Sequence, residues 1–357
     1  MQIDDDDWWT DLGHKARKDF GRKPVIEIDV LEGVEPLDAQ FGVTLPRTVP
    51  VTLQEPLFGQ PADSGQDPDV LYTYAVLDAA KILGLPELLE NTDLDHDCLF
   101  QGTAAEELRH AAPWIVKLEE NNRFTRALFT KGSGPRDLWD SDPGIFCRSK
   151  HTLDDVRKHL RKFTKVRDGH GRWLYFRFWE GVPLRAYLDT VSLEHPASLS
   201  FYGTAERLLI DAVLTRDYAG RFVKHHCQAI PDTLESNASG RLTSVQEQAL
   251  ATAMEERRRA EIARAMQKGF PSETEGLPYE DLLRLVAESV HWAGVRGIRM
   301  VRHVHLIACW RLIYGSSIET RDPDGVFAAL GQSPGDEGTK IKQMGARLSD
   351  LHKLGHL

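Results

Sequence analysis

The segment that most constrains the fold spans residues 159–179. It reads His159-Leu160-Arg161-Lys162-Phe163, then Asp168-Gly169-His170-Gly171, then Trp173-Leu174-Tyr175-Phe176-Arg177-Phe178-Trp179. This order predicts the last turn of a helix, a short strand, a tight turn and a second strand. The second strand is aromatic on both faces, so it is expected in the middle of a sheet, framed by Arg161 and Arg177. An arginine among rings usually stacks on one and pairs with a carboxylate, for which Asp78 and Glu180 are the candidates.

The surrounding zone, residues 70–195, alternates strands and helices. Residues 71–77 are β-rich and apolar and predict a central strand, with Asp78 capping a helix through 79–83. Residues 98–100, 112–118 and 144–149 predict further strands. Thr103 and Glu106 have capping-box spacing for a helix to about His110. Residues 121–129 suit a helix that turns Phe124, Leu128 and Phe129 inward. Residues 152–163 suit another, with Leu153, Val156, Leu160 and Phe163 on one face and Arg157, Lys158, Arg161 and Lys162 on the other. Together these predict an α/β (α+β) domain with a mixed sheet, closed by a hairpin.

The flanks differ in character. Residues 1–69 hold 15 Asp and Glu against 6 Lys and Arg, which places most of the net charge of −10 there. A run of aspartates at 4–7 precedes Trp8 and Trp9, which suits either a docking peptide or a solvated tail. Residues 25–30 alternate like a strand. Prolines at 36, 46, 50, 56, 61 and 68 predict an irregular arm or linker. Residues 196–240 read as a connecting segment: 192–213 as broken helix, 221–227 as a strand. His225 and His226 fall on opposite faces of that strand, an arrangement poorly suited to a shared metal. Residues 241–320 predict a smaller helical lobe. Its first helix opens at Ser244 with Glu247 three residues on, and others follow near 279–292 and 299–314. Residues 321–357 predict a Gly-rich, weakly patterned tail with one or two short helices.

Composition narrows the function. An acidic chain with no basic excess argues against nucleic acid as a partner. Cys98, Cys147, Cys227 and Cys309 are widely scattered, as reduced thiols of a cytosolic protein are, and form no zinc or redox pair. The start of the chain carries no secretory pattern, and no apolar run approaches the ~20 residues of a spanning helix. Cytoplasmic placement, without membrane, metal or cofactor, is the expectation. Nucleophile elbows, phosphate loops, zinc motifs and dinucleotide fingerprints are all missing from the sequence. An enzyme would need Asp78, His159, Arg161 and Arg177 to converge.

Four stretches, in order, carry a family resemblance. They are residues 74–80 (Tyr-Ala-Val-Leu-Asp-Ala-Ala), 112–116 (Ala-Pro-Trp-Ile-Val), 153–161 ending His159-Leu160-Arg161, and 176–179 (Phe-Arg-Phe-Trp). This zone resembles the effector adaptors, or chaperones, of bacterial type VI secretion. Gly297-Ile298-Arg299 is similar to the start of that family's helical C-terminal lobe. The family continues its aromatic strand with Asp-Pro-Arg. Here Glu180-Gly181-Val182 keeps the carboxylate and lacks the arginine. The resemblance implies a non-enzymatic protein that binds a cognate toxic effector in the cytosol, keeps it stable and helps load it onto the spike. It singles out Asp78, Trp114, His159, Arg161, Tyr175, Arg177, Trp179, Glu180 and Arg299 as framework or partner-binding residues. The alternatives are an α/β enzyme, or an immunity protein that neutralises a toxin through its acidic arm.

Overall fold

The computed structural model describes residues 25–61, 70–191, 196–217, 220–231 and 240–356, so the acidic tryptophan run at 4–9 lies outside the described residues. The chain divides into two compact units, Met1–Leu250 and Ala251–Leu357.

The first unit is built on a seven-stranded sheet. Its strands are β1 (Ile26–Leu31), β2 (Tyr72–Asp78), β3 (His96–Cys98), β4 (Pro113–Leu118), β5 (Gly144–Ser149), β10 (Ala212–Arg216) and β11 (Phe222–Cys227), in the order β1-β11-β10-β5-β2-β4-β3. All of its ladders are antiparallel, so the expected mixed sheet narrows to an antiparallel one. Two small ribbons stand apart from it: β6 (Lys165–Arg167) with β7 (Trp173–Tyr175), and β8 (Gly203–Thr204) with β9 (Arg207–Leu208). The helices are α1 (Val51–Phe58), α2 (Leu85–Glu90), α3 (Thr103–Glu107), α4 (Arg123–Phe129), α5 (Leu153–Leu160) and α6 (Gly181–Leu188).

β2 shows why the sheet has two cores. Successive side chains on a strand point to opposite faces. Ala75 and Leu77 join Leu53 and Leu57 of α1 and Phe129 of α4 on one face. Tyr74 and Val76 join Val156 and Leu160 of α5, and Phe178 and Trp179, on the other. Both faces are covered, which is why residues 71–77 read as a continuous apolar run.

Several local expectations are corrected. Residues 79–84 form turns and no helix; the Asp78 carboxylate accepts the Ala80 N–H at 3.0 Å, a turn bond in place of a helix cap. Gly102, with no side-chain bond, precedes α3 where Thr103 was expected to cap. Residues 26–31 form the expected strand, paired with β11, but Val51–Phe58 of the stretch expected to be irregular is a helix with Leu53 and Leu57 fully buried. The described part of 192–213 is the 3-10 turn Pro196–Phe201, the β8–β9 ribbon and the start of β10, because Gly203 and the paired ends of that ribbon break any helical run. The long helix α7 (Ser244–Gly269) has a capping box one residue earlier than its sequence suggests. Thr243 Oγ1 accepts the Gln246 N–H at 3.2 Å, and Gln246 Oε1 accepts the Thr243 N–H at 2.9 Å.

The second unit begins within α7 and is helical. It contains α8 (Pro271–Thr274), α9 (Tyr279–Gly294), α10 (Val301–Tyr314), α11 (Val326–Gln332) and α12 (Glu337–Lys353). Its core gathers Met266, Val286, Ile307, Phe327, Met344 and Leu351. The last of these belong to the stretch expected to be a weak tail. Ile341, Met344, Leu348 and Leu351 of α12 are all buried, and their spacing is that of one helical face.

Among the described residues no helix is long and apolar enough to cross a membrane. None of their His, Cys, Asp and Glu side chains group in a way that could hold a metal ion. All four cysteines are free and buried; burial pushes the Cys147 and Cys227 thiols up to about 12, far from a reactive thiolate.

Candidate functional site

Asp78 ends β2 fully buried, and its backbone N–H is held by the Pro143 carbonyl at 2.8 Å. Opposite it, the chain leaving β7 turns sharply, with the Glu180 N–H on the Arg177 carbonyl at 3.0 Å. That turn aims the Arg177 guanidinium at two carboxylates. Nη2 donates to Asp78 Oδ2 at 2.6 Å, and Nε donates to Glu180 Oε1. Both candidate partners are therefore engaged. The guanidinium carbon lies 5.6 Å from the Trp179 ring centroid. Glu180 then starts α6, where Gly181 is required: a Cβ there would sit 2.7 Å from the Arg216 carbonyl oxygen.

Burial raises the Asp78 pKa above the usual carboxylate range, and Arg177 partly offsets it. With Oδ1 on Ala80 and Oδ2 on Arg177, this carboxylate is committed to holding the strand end against the Arg177 turn. The cluster is a tie between two segments about a hundred residues apart.

The other residues singled out by the sequence are placed elsewhere. His159, in the last turn of α5, is buried; its Nε2 donates to the Phe201 carbonyl at 2.8 Å and its ring meets Phe163 edge-on. Arg161 lies half-buried in the 3-10 turn Arg161–Phe163. Burial lowers its pKa, with the neighbouring Arg157 acting in the same direction. Neither His159 nor Arg161 hydrogen-bonds to the Asp78 cluster among the described residues. Trp114 is buried in β4 with its indole N–H on the Arg109 carbonyl at 3.2 Å. Arg299, exposed before α10 in the second unit, gives its backbone N–H to the Glu337 carboxylate.

The aromatic segment is not a central strand. Only Trp173–Tyr175 is extended, and all three are exposed, at 57%, 44% and 54%. Phe176, Phe178 and Trp179 are buried, but from a turn. A three-residue ladder followed by that turn cannot enter the main sheet. Tyr175 approaches Phe100 at 5.9 Å between ring centroids.

Sequence reasoning missed two further features. Arg148 in β5 is buried, and its Nη2 donates to the Gly59 and Leu71 carbonyls; burial lowers its pKa to about 10. A lone arginine inside the apolar strand Gly-Ile-Phe-Cys-Arg-Ser was the available signal. A cavity of about 360 Å³ is lined by His159, Lys162, Phe163, Tyr187, Arg241 and Leu242 among others. No sequence spacing links these elements.

Residues 73–197 match the model of a family described as "Domain of unknown function (DUF4123)". The DUF4123 segment is about a third of the chain and holds every singled-out residue except Arg299. It contains β3 to β7 and all but the first residue of β2, whereas β1, β10 and β11 of the same sheet lie outside it. No curated protein and no solved structure matches the chain.

His159 gives the DUF4123 segment a pH dependence. Burial pulls its pKa from 6.5 down to about 4, so the folded state keeps the ring neutral where the unfolded chain protonates it. The stability tied to the neutral ring is whole above pH 6.5 and is lost as pH falls towards 4. Urea unfolding of wild type and His159→Gln is expected to show the wild-type advantage shrinking by about 2–3 kcal/mol between pH 7 and pH 4.5. An advantage that does not change with pH refutes the buried neutral ring.

Proposed function

We propose that this protein is a cytosolic adaptor of type VI secretion, which binds a cognate effector, stabilises it and helps load it onto the spike. The secretion system comes from the resemblance of the four stretches above. The binding role is carried by one observation: within the DUF4123 segment, the β6–β7 ribbon exposes Trp173, Leu174 and Tyr175 in a row. Aromatic side chains give large contact area at low entropic cost, and an exposed cluster of them favours a protein partner. The commitment of Asp78, Arg177 and Glu180 to one tie supports the same reading, since none is left poised for acid–base work.

Co-expression with a candidate effector from a neighbouring gene tests the reading. A complex that survives size-exclusion chromatography is expected, with effector levels falling several-fold when the adaptor is omitted. No complex, together with unchanged effector levels, sinks it.

A further inference from the structure

Among the described residues the β6–β7 ribbon has one closed edge and one open edge. β6 is flanked on its outer side by the chain at 240–242: the Arg167 N–H bonds to the Gly240 carbonyl and the Leu242 N–H to the Arg167 carbonyl, both at 2.8 Å. Among the described residues β7 pairs only with β6. The register sets Val166 opposite Leu174, and the Phe176 N–H bonds to Thr164 and the Asp168 N–H to Arg172. Leu174 therefore spends its backbone groups on β6, whereas Trp173 and Tyr175 turn theirs outward. Those groups have no backbone partner among the described residues.

The ribbon's own segment is basic, although Asp154, Asp155 and Glu180 bound it and the Glu247 carboxylate accepts the Gly169 N–H at its turn. Residues 156–179 contain eight Lys and Arg and a single carboxylate, Asp168. Arg157, Lys158, Arg172 and Arg177 are paired with carboxylates. Arg161, Lys162, Lys165 and Arg167 have no carboxylate partner among the described residues. Two of these cations reach across the ribbon. Lys165 Nζ lies 5.1 Å from the Tyr175 ring centroid, and the Arg167 guanidinium lies 4.5 Å from that of Trp173. Both positive charges thus sit above β7, about one strand spacing of ~4.8 Å from any strand added beside it.

We propose that the open edge of β7 takes up an extended segment of the client as a third strand, and that this segment alternates acidic with apolar side chains. Its backbone pairs with Trp173 and Tyr175. Its carboxylates meet Lys165 and Arg167 above the rings, and its apolar side chains cover Leu174 on the other face. Two copies of this chain joined β7 to β7 would bring these cations together without counter-charge. Nucleic acid would have to displace Lys165 and Arg167 from the rings before its bases could stack.

This inference rests on the adaptor reading for the identity of the client, so its test uses a probe that does not need the client. The full chain is titrated with a short, end-blocked, labelled peptide alternating Asp and Val, read by fluorescence anisotropy. A Lys–Val peptide and a backbone N-methylated Asp–Val peptide are the controls. Both controls are expected to bind at least about tenfold more weakly than the acidic peptide. Trp173→Pro removes one outward N–H without touching the bonds to β6, and is expected to weaken the acidic peptide about tenfold. The double variant Lys165→Glu/Arg167→Glu leaves the backbone edge in place and is expected to reverse the preference to the Lys–Val peptide. Equal binding of the methylated peptide, no effect of either variant, concentration-dependent dimerisation in place of peptide binding, or binding of a single-stranded oligonucleotide alone overturns the proposal. Co-purification separates the two readings. An effector retained in full by Trp173→Pro removes the β7 edge and leaves the adaptor standing; peptide binding with no effector complex does the reverse.

Discussion

Arg177→Met is expected to destabilise the sheet unit by about 3 kcal/mol, whereas Asp78→Asn costs less, about 1–2 kcal/mol. The asymmetry follows from what each change leaves behind. Removing the guanidinium takes away the cation that bridges two buried carboxylates, Asp78 and Glu180. Breaking a buried pair from one side typically costs about 3–5 kcal/mol, and the lower end applies because the Arg177 side chain is 43% exposed and water can reach the vacated site. Asp78→Asn keeps an oxygen for the Ala80 N–H but turns an amide NH2, which cannot accept, towards Arg177 Nη2; the loss is limited because Arg177 keeps its bond to Glu180 and a charge that burial disfavours is removed.

The sign of the pH effect separates this account from simple loss of packing. Without Arg177, burial and the Glu180 charge both raise the Asp78 pKa and the guanidinium no longer opposes them. A carboxylate whose folded pKa is raised costs stability at high pH and is relieved as pH falls towards its unfolded value near 4. The Arg177→Met deficit is therefore expected to shrink between pH 7.5 and pH 5 in thermal unfolding. At the usual 2–4 °C per kcal/mol for a unit of this size, the shift at pH 7.5 is roughly 6–12 °C. A deficit below about 1 kcal/mol, or one that grows on acidification, refutes the cluster as a structural tie.

Which parts of this architecture were legible follows from what a one-dimensional pattern encodes. β2, β4 and β5 are buried on both faces, and their runs of apolar residues announce themselves. α5 showed its apolar face, and α4 its three inward side chains. Sheet order did not show, because β1 pairs with β11 across nearly two hundred residues and nothing local specifies that register. The segment 173–179 misled for a different reason. A run of rings signals burial, but Phe176, Phe178 and Trp179 are buried by a turn while Trp173, Leu174 and Tyr175 remain outside. Periodicity cannot tell a buried strand from a buried turn. For the candidate site, the partners of Arg177 were readable because Glu180 is three residues away and Asp78 closes the strongest strand. The open edge was not, since it depends on a hydrogen-bond register that appears only once β6 and β7 are paired. In α12, Gly338 and Gly345 hid a spacing that Ile341, Met344, Leu348 and Leu351 carry in full.

That last helix sets the largest expected effect in the second unit. Met344 is fully buried among Met266, Ile307 and Phe327 in the helical core. Met344→Asp puts a carboxylate among these apolar side chains. An unpaired buried charge or an unsatisfied neutral acid costs at least about 4 kcal/mol, most of the 5–10 kcal/mol a unit of about a hundred residues holds. The helical unit is then expected to lose its cooperative melt and to become cleavable by dilute protease after residue 251. Met344→Leu conserves volume and is expected to stay within about 1.5 kcal/mol of wild type, which isolates the charge from the loss of a thioether. Far-UV circular dichroism and limited proteolysis of the two variants side by side read the difference. Should Met344→Asp melt within about 1.5 kcal/mol of Met344→Leu, the side chain reaches water and α12 is peripheral to the helical core.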